Sequence, residues 1–473
     1  MAGREFLVAD PDHIMNKHIE AVFRLPFNMF REAVRELRQR PYLVAVGEMG
    51  MSLRSPDVIE LLARTCRYEH QGSLRANGTR APVFRLGFVP FAIDRGDTLF
   101  PTVSEGSAER APVCLMMLGT GGYIGRFAGV LRLRERTLPV RAIRLVGPGM
   151  HEVPASSVGT VRLQTVPASD AERWSRLIGA LGGRDVWQRL TALSYCIVGA
   201  GRTGSLVATT LAKHGVRDLK LVDPDLLEEH NLDSMDAVRE TDVGRFKVDA
   251  VAQNLGRDMP FAHIEASNES VMTRQARGLI KETDVVICCV DNDGARLATA
   301  ALACCYQRPL LDIGTGVSFA VHSRTSLGVP ERLAGDRRAA GADVRLILPG
   351  DGCILCWGGL ANSADALRHP GPVRESRPWH RSRAGSLRSL NQIAAHLGMG
   401  LLEDLIAGRL AGSSWIRYEM SEHGVPVLSV MPRMESRGCF MCRLQGIGDL
   451  LTANDRFFEA IASEMAFSNA IDK

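Results

Sequence analysis

A chain of 473 residues exceeds the roughly 100–200 residues of a single domain and divides into several. Hydrophobic residues make up 45% and charged residues 23%, which excludes the disordered and collagen-like classes. The 57 basic and 53 acidic residues leave a net charge of +4, too slight a surplus to point to nucleic acid, and no segment reaches the roughly 18 apolar residues of a membrane helix.

The first residues, MAGREFLVADPDHIMNK, contain no apolar core of signal-peptide length, so the expected location is cytoplasmic. In that compartment the 11 cysteines are expected as metal ligands, buried small hydrophobes or catalytic thiols, not as disulfides. Residues 1–165 begin with HIEAVFRLPFNMFREAVRELRQR, read as a helix, and continue in short apolar runs such as YLVAV, APVFRLGFV, FAGVLRL and AIRLVG. That is an α+β pattern. A joint at SVGTVRLQTVPASD leads into AERWSRLIGAL, a helix with Asp170 near its cap.

From residue 194 the grammar becomes βαβ. SYCIVGAGRTGSLVATTLAKHG reads as strand, glycine turn and helix, LKLVDPD as a second strand, TDVVICCVDND as a third and RPLLDIGTGV as a fourth. This alternation predicts a doubly wound, mostly parallel α/β sheet of the Rossmann type, preceded by the α+β domain. ALRHPGPVRESRPWHRSRAG reads as a long loop before a late helix, SLRSLNQIAAHLGMGLLEDLIAG. The expected divisions are 1–165, 170–445, and a helical tail over 446–473.

Gly199, Gly201 and Gly204 form G-A-G-R-T-G between a strand and a helix, the context in which such glycines admit a phosphate to a helix N-terminus. Asp223 ends the next strand at the spacing of a carboxylate that grips ribose hydroxyls. An NAD oxidoreductase would show this much. The residues that follow suit ATP and attack at its α-phosphate instead: Asp225, Asn231-Leu232, Lys247 at the end of G-R-F-K, then Asp291-Asn292 and Arg296. These supply amides and cations for phosphates and an acid for Mg²⁺, none of which hydride transfer needs. Plainer roles stand beside these: surface acids for Asp225, Glu228 and Glu229, and a solvated helix position for Arg296 and for Arg176.

The order G-x-G-x-x-G, D-x-D, N-L, G-x-x-K, D-N-x-x-x-R, together with R-W-S-R-L-I upstream and two CxxC pairs, resembles the ThiF/MoeB and ubiquitin-activating adenylyltransferase superfamily over about residues 170–445. The resemblance implies that Gly199, Gly201, Gly204, Asp223, Asp225, Asn231, Lys247, Asp291, Asn292 and Arg296 bind the nucleotide and its Mg²⁺. It makes Arg176, Lys247 and Asp291 the catalytic set, with Arg176 reaching into the other subunit of a homodimer. The implied reaction is attack of the C-terminal glycine carboxylate of a ubiquitin-like protein on ATP, giving an acyl-adenylate and pyrophosphate. One departure is Ser234, which stands where the family carries an arginine; Arg202 or Arg245 is a candidate substitute.

Cys353 and Cys356 in DGCILCWGG pair with Cys439 and Cys442 in RGCFMCR. Two CxxC turns suit tetrahedral thiolate zinc better than thiol exchange, because a redox pair would open a helix after the first strand of its fold. In the family such a Zn²⁺ is structural. Residues 357–438, where many members carry a thioester cysteine, contain none, so the acyl group is expected to pass to a partner such as a conjugating enzyme. Cys196, Cys288, Cys289, Cys304 and Cys305 are expected as buried structural thiols; no motif assigns Cys66 or Cys114.

The N-terminal order, through YLVAVGEMG to RAIRLVGPGM, faintly resembles an MPN/JAMM domain, with Glu48 its one matching residue of catalytic type. Residues 71–150 hold no histidine, and His70 and His151 stand alone at the flanks, so that resemblance implies an inactive domain. A degenerate adenylation half, with Gly119 and Gly121 after CLMMLG, and an unrelated recognition domain are the rival readings. The functional expectation is an activating enzyme of bacterial ubiquitin-like conjugation type, with antiviral defence as analogy only. The alternatives are a sulfur-carrier adenylyltransferase and a scaffold that binds nucleotide or a ubiquitin-like protein without catalysis.

Overall fold

The described residues form two sheets, and the candidate site lies on the second. The computed structural model describes residues 19–40, 43–70, 82–89, 113–119, 127–133, 136–155, 172–320, 337–360, 386–420, 425–434, 439–449 and 458. The loop expected at 366–385 lies outside these residues, as does most of the tail expected over 446–473.

The second sheet is built from β10 (Ser194–Val198), β11 (Asp218–Val222), β12 (His263–Ser267), β13 (Val285–Cys288), β14 (Leu310–Ala320), β15 (Arg337–Ile347), β16 (Ser414–Met420) and β17 (Pro426–Val430). Its order is β12-β11-β10-β13-β14-β15-β16-β17. The first five of these are parallel and the last three antiparallel. β10 and β13 read as uninterrupted apolar runs because both faces are covered; every residue of each is buried. The edge strand β12 was not anticipated, because HIEAS lacks the apolar run that marks its neighbours and lies half exposed. The third strand along the chain is therefore His263–Ser267, and TDVVICCVDND supplies the fourth.

The crossovers are α4 (Arg202–Lys213), α5 (Lys247–Asp258), α6 (Arg274–Glu282) and α7 (Asp293–Cys305), and a long α8 (Arg388–Ala407) covers one face. Before them, α2 (Ser175–Leu181) and α3 (Arg184–Ala192) follow α1 (Phe27–Gln39) of the first domain. Trp174 fixes α2: its ring packs on Trp187 and Phe261, and its Nε1 donates to the Lys213 carbonyl at 2.8 Å. Among the described residues no helix is long and apolar enough to cross a membrane.

The first sheet contains β1 (Glu20–Pro26), β2 (Leu43–Ser55), β3 (Val58–Ala63), β4 (Arg67–His70), β5 (Val83–Val89), β6 (Val113–Gly119), β7 (Phe127–Leu133), β8 (Arg136–Val146) and β9 (Glu152–Pro154). It closes on itself, because β1 pairs in parallel with both β3 and β8. The helix expected from residue 18 is thus a strand followed by a helix. Glu20–Pro26 is buried along nearly its whole length, and Pro26 fixes the point at which α1 begins. β6, which ends at Gly119, pairs antiparallel with β7, and Gly121 of the degenerate adenylation reading lies outside the described residues.

A buried ion cluster joins the sheets. Glu60 and Asp284 face Arg24 at 3.2 Å each and Arg54 at 2.9 Å each. Arg308 reaches Glu60 at 2.5 Å, and Arg144 reaches Asp284 at 3.5 Å. Burial alone would raise both carboxyls, yet the surrounding guanidiniums hold Glu60 and Asp284 well below the usual carboxylate range. Asp284 also accepts from the backbone N–H and hydroxyl of Ser194, which places the cluster at the amino ends of β10 and β13.

Candidate nucleotide site and cysteine centre

The order β11-β10-β13 places a topological switch point between β10 and β13, where chains leave in opposite directions and open a crevice at the carboxyl edge. The glycine turn occupies it. Gly199 takes φ +91°, and a side chain there would meet the Cys289 backbone at 2.8 Å; one at Gly204 would meet the Gly199 carbonyl oxygen at 1.8 Å. Gly201 differs, since a Cβ there meets nothing within 4 Å. No protein neighbour explains a glycine at the start of α4, which is the position a phosphate would approach.

Asp223 follows β11 and is 7% exposed. Its carboxylate accepts from the Ala200 N–H at 2.8 Å and the Asp225 N–H at 2.9 Å, so it braces the glycine turn. Burial pushes its pKa up to about 6 against the pull of Lys247 and these two hydrogen bonds. Lys247 begins α5 and pairs with Asp225 at 2.8 Å, so Asp225 is more than a surface acid. Asn231 is buried, and its side-chain oxygen accepts from the Glu228 N–H at 3.0 Å, which leaves its amide group to face elsewhere. Glu228 and Glu229 are exposed.

Asp291 is exposed just beyond β13, beside the turn, since the Cys289 N–H donates to the Val198 carbonyl. Asn292 caps α7, accepting from the Ala295 N–H at 2.7 Å. Arg296 is not a solvated helix residue. It is 9% exposed and donates to buried Asp312 and to the Val290 carbonyl, both at 2.7 Å. Burial opposes its charge, but Asp312 raises its pKa; Arg296 therefore holds the 290–291 loop beside the glycine turn. The pair Asp312–Arg345, at 3.1 Å, had no sequence motif to reveal it.

Of the two candidate substitutes for the cation missing at Ser234, Arg245 is held by Asp242 at 2.8 Å and Gln253 at 2.7 Å, and Arg202 donates to the His230 carbonyl at 3.1 Å. Arg176 is exposed on α2. Its neighbour Trp174 is anchored at the far end of α4, whose 12 residues rise about 18 Å. It therefore stands near the opposite edge of the sheet from its own glycine turn.

Cys353, Cys356, Cys439 and Cys442 converge with all four Sγ atoms within 4.8 Å of one another. Separations of 3.8, 3.5 and 3.6 Å join Cys353 to Cys356, Cys353 to Cys439 and Cys356 to Cys442. A tetrahedral thiolate zinc, with Zn–S of about 2.3 Å, has sulfur–sulfur edges of about 3.8 Å, so the donor set and its spacing fit Zn²⁺. Cys196, Cys288 and Cys305 are fully buried, while Cys289 and Cys304 are partly so. Burial pushes the thiols of Cys196, Cys288 and Cys304 up to about 12, unlike activated nucleophiles.

Residues 174–355 match the model described as "ThiF family". An "Adenylyltransferase and sulfurtransferase uba4" of Aspergillus fumigatus is 32% identical over 164 residues, which are 34% of this chain and 32% of that protein. A "Ubiquitin-like modifier-activating enzyme 5" of Xenopus laevis is 26% identical over 267 residues, 52% of this chain and 61% of its own. The chain thus spans about a third of the length of the first of these relatives. E. coli MccB, solved with ATP, superposes with a TM-score of 0.42 at 18% identity over 57% of this chain and 74% of that one. Residues 174–355 are a ThiF family domain.

Proposed function

We propose that this chain adenylates the C-terminal glycine of a ubiquitin-like protein at the expense of ATP. The observation that carries the reading is the convergence, at one switch point, of an unobstructed Gly201 with Asp223, Asn231, Lys247 and Asp291. The helix N-terminus at Gly201 receives a phosphate, Asp223 accepts from the ribose hydroxyls, and the Asn231 amide and Lys247 ammonium face the triphosphate. Asp291 would hold Mg²⁺, which when bound screens the phosphate charge. The incoming glycine carboxylate attacks the α-phosphorus, the bond to the bridging oxygen breaks, and pyrophosphate leaves with that electron pair.

Arg176, whose neighbour Trp174 is anchored at the far end of α4 from the glycine turn, serves the site of a second copy in a homodimer. No cysteine lies between residues 357 and 438, so the adenylate is consumed by the thiol or amine of a conjugating partner. The same absence disfavours the sulfur-carrier reading, which calls for a persulfide cysteine in that span. A role in antiviral defence rests on the resemblance alone. The test is ATP–pyrophosphate exchange with candidate ubiquitin-like proteins, with Asp291→Ala as control. Exchange that needs the carrier and is lost in the variant supports the reading; tight carrier binding without exchange would instead establish a scaffold.

A further inference from the structure

The loop carrying Asn231 and Ser234 is held from outside by a residue of another element. Arg388, the first residue of α8, donates from Nη1 to the Ser234 carbonyl at 2.9 Å and from Nη2 to the Asp236 carboxylate at 2.6 Å. The Asp236 N–H in turn donates to the Ser205 hydroxyl at 3.0 Å, and Ser205 sits in the first turns of α4, directly behind the glycine turn. The Met235 N–H donates to the Asn231 carbonyl at 3.0 Å. One guanidinium therefore closes a circuit running from α8 through the 231–236 turn to the helix that receives the phosphate.

The direction of α8 puts this contact at the nucleotide edge. Thr315, beyond the paired portion of β13 and β14, donates to Asn391 at 2.9 Å near the start of the helix. At its other end the Leu405 carbonyl accepts from the Gly149 N–H, and Arg409 donates to the Leu181 carbonyl at 3.0 Å, both far from the crevice. Arg245 is bound to its own loop by Asp242, and Arg202, at the start of α4, donates to the His230 carbonyl. Arg202 thus holds the start of that loop from α4, and Arg388 holds its far end from α8.

We propose that Arg388 is a positioning residue for nucleotide binding: by clamping the Ser234 carbonyl and the Asp236 carboxylate it holds the Asn231–Asp236 turn ready for the triphosphate. The proposal rests on the nucleotide reading above. A turn fixed in advance need not be ordered when ATP binds, so the clamp acts on affinity and leaves the chemical step alone. Lysine at this position keeps the ion pair with Asp236 but presents a point charge in place of a fork that spans two acceptors.

The experiment uses the full chain as wild type, Arg388→Ala, Arg388→Lys and Asp236→Asn, with folding checked by circular dichroism. Equilibrium binding of ATP, the KM for ATP and kcat in pyrophosphate exchange, and amide exchange over residues 228–237 are measured. Because the pair is 40% and 26% exposed, Arg388→Ala is expected to weaken ATP binding and raise KM by about five-fold with kcat unchanged. Amides of the 231–236 turn exchange faster, those of β10 do not, and Arg388→Lys falls between. Asp236→Asn, which keeps the side-chain shape, shows the same loss if Arg388→Ala fails to fold. Unchanged ATP affinity in both Arg388→Ala and Asp236→Asn, or a fall in kcat with KM unaltered, overturns the role of Arg388 while leaving the nucleotide reading intact. A wild-type chain that binds no ATP overturns both.

Discussion

The cluster between the sheets gives a quantitative test through Glu60→Gln, which preserves side-chain shape and removes one charge. Glu60 is fully buried against Arg24 and Arg308, themselves 1% and 0% exposed, and against Arg54 at 15%. Without it, Arg308 loses its carboxylate partner, and Asp284 remains to balance Arg24, Arg54 and part of Arg144. Breaking a buried pair from one side costs about 3–5 kcal/mol, because the partner's charge stays buried. For a unit of this size that lowers the first thermal transition by roughly 6–20 °C. All 5 tryptophans lie outside the first sheet, from Trp174 onward, so tryptophan fluorescence reports the second sheet while circular dichroism reports both. The variant should split a transition that coincides in the wild type, with the circular dichroism change first. Arg308→Met on top of Glu60→Gln should restore part of the loss, since the orphaned charge goes with it. Because Glu60 titrates well below its ordinary 4.5 when folded, its contribution is complete above that value and disappears only as pH falls through the lower, folded value. A Glu60→Gln chain whose transitions stay coincident and shift by less than about 2 °C would refute the charge argument.

Two glycines a few residues apart should fail differently. Gly204→Ala drives a Cβ to 1.8 Å from the Gly199 oxygen and should unfold or misfold the domain, whereas Gly201→Ala, with open space at its Cβ, should fold normally and lose ATP affinity. Melting curves with and without ATP separate these outcomes. Asp223 carries two opposite pH effects. Its folded pKa of about 6 lies above its ordinary 3.8, so its contribution to stability falls as pH rises from 3.8 to 6. The carboxylate form needed for ribose is lost over the same range as pH falls, giving about ten-fold less of it at pH 5 than at pH 7. ATP titrations should show that decline in the wild type and none attributable to this group in Asp223→Asn. Metal analysis should find one Zn²⁺ per chain. Its chelation should also speed amide exchange at Met51 and Leu53, because the segment after Cys442 pairs Gly448 with Met51 and lets Asp449 accept from the Leu53 N–H at 2.8 Å. Unchanged protection at those amides after complete zinc removal would show that the cysteines do not hold that seam.

What the sequence disclosed follows how locally each feature is encoded. The strand, glycine turn and helix at Ser194–Lys213 were legible because periodicity, turn residues and helix start all fall within twenty-odd contiguous residues. The CxxC turns were legible because each pair fixes its own geometry, and only their meeting needed the fold. Arg388, Arg308 and Arg24 could not be found in this way. A buried or bridging arginine looks like a solvated one until its acceptors, more than 150, 200 and 30 positions away, are brought against it. Arg296 shows the same limit in reverse, since its motif position is right while its guanidinium is spent on Asp312. The edge strand β12 and the strand Glu20–Pro26 were missed because burial on one face or both changes the pattern that a two-state reading expects.

The placement of the first domain constrains what it does. Its ion cluster engages Ser194, Asp284 and Arg308, at the amino ends of β10, β13 and β14, while the crevice opens beyond Val198 and Cys288 at the carboxyl ends. Five residues of β10 separate the two edges by roughly 15 Å. The described part of the first sheet therefore neither contributes to the nucleotide crevice nor covers it. A second tie runs through the cysteine centre, where Arg64 donates to the carbonyls of Arg443 and Gln445. The two ties brace the domain against both the sheet and the cysteine segment. The first domain also reaches α8, where the Gly149 N–H donates to the Leu405 carbonyl; of these connections, the Glu60→Gln and zinc-removal measurements probe those through β10 and β13 and through the cysteine segment separately.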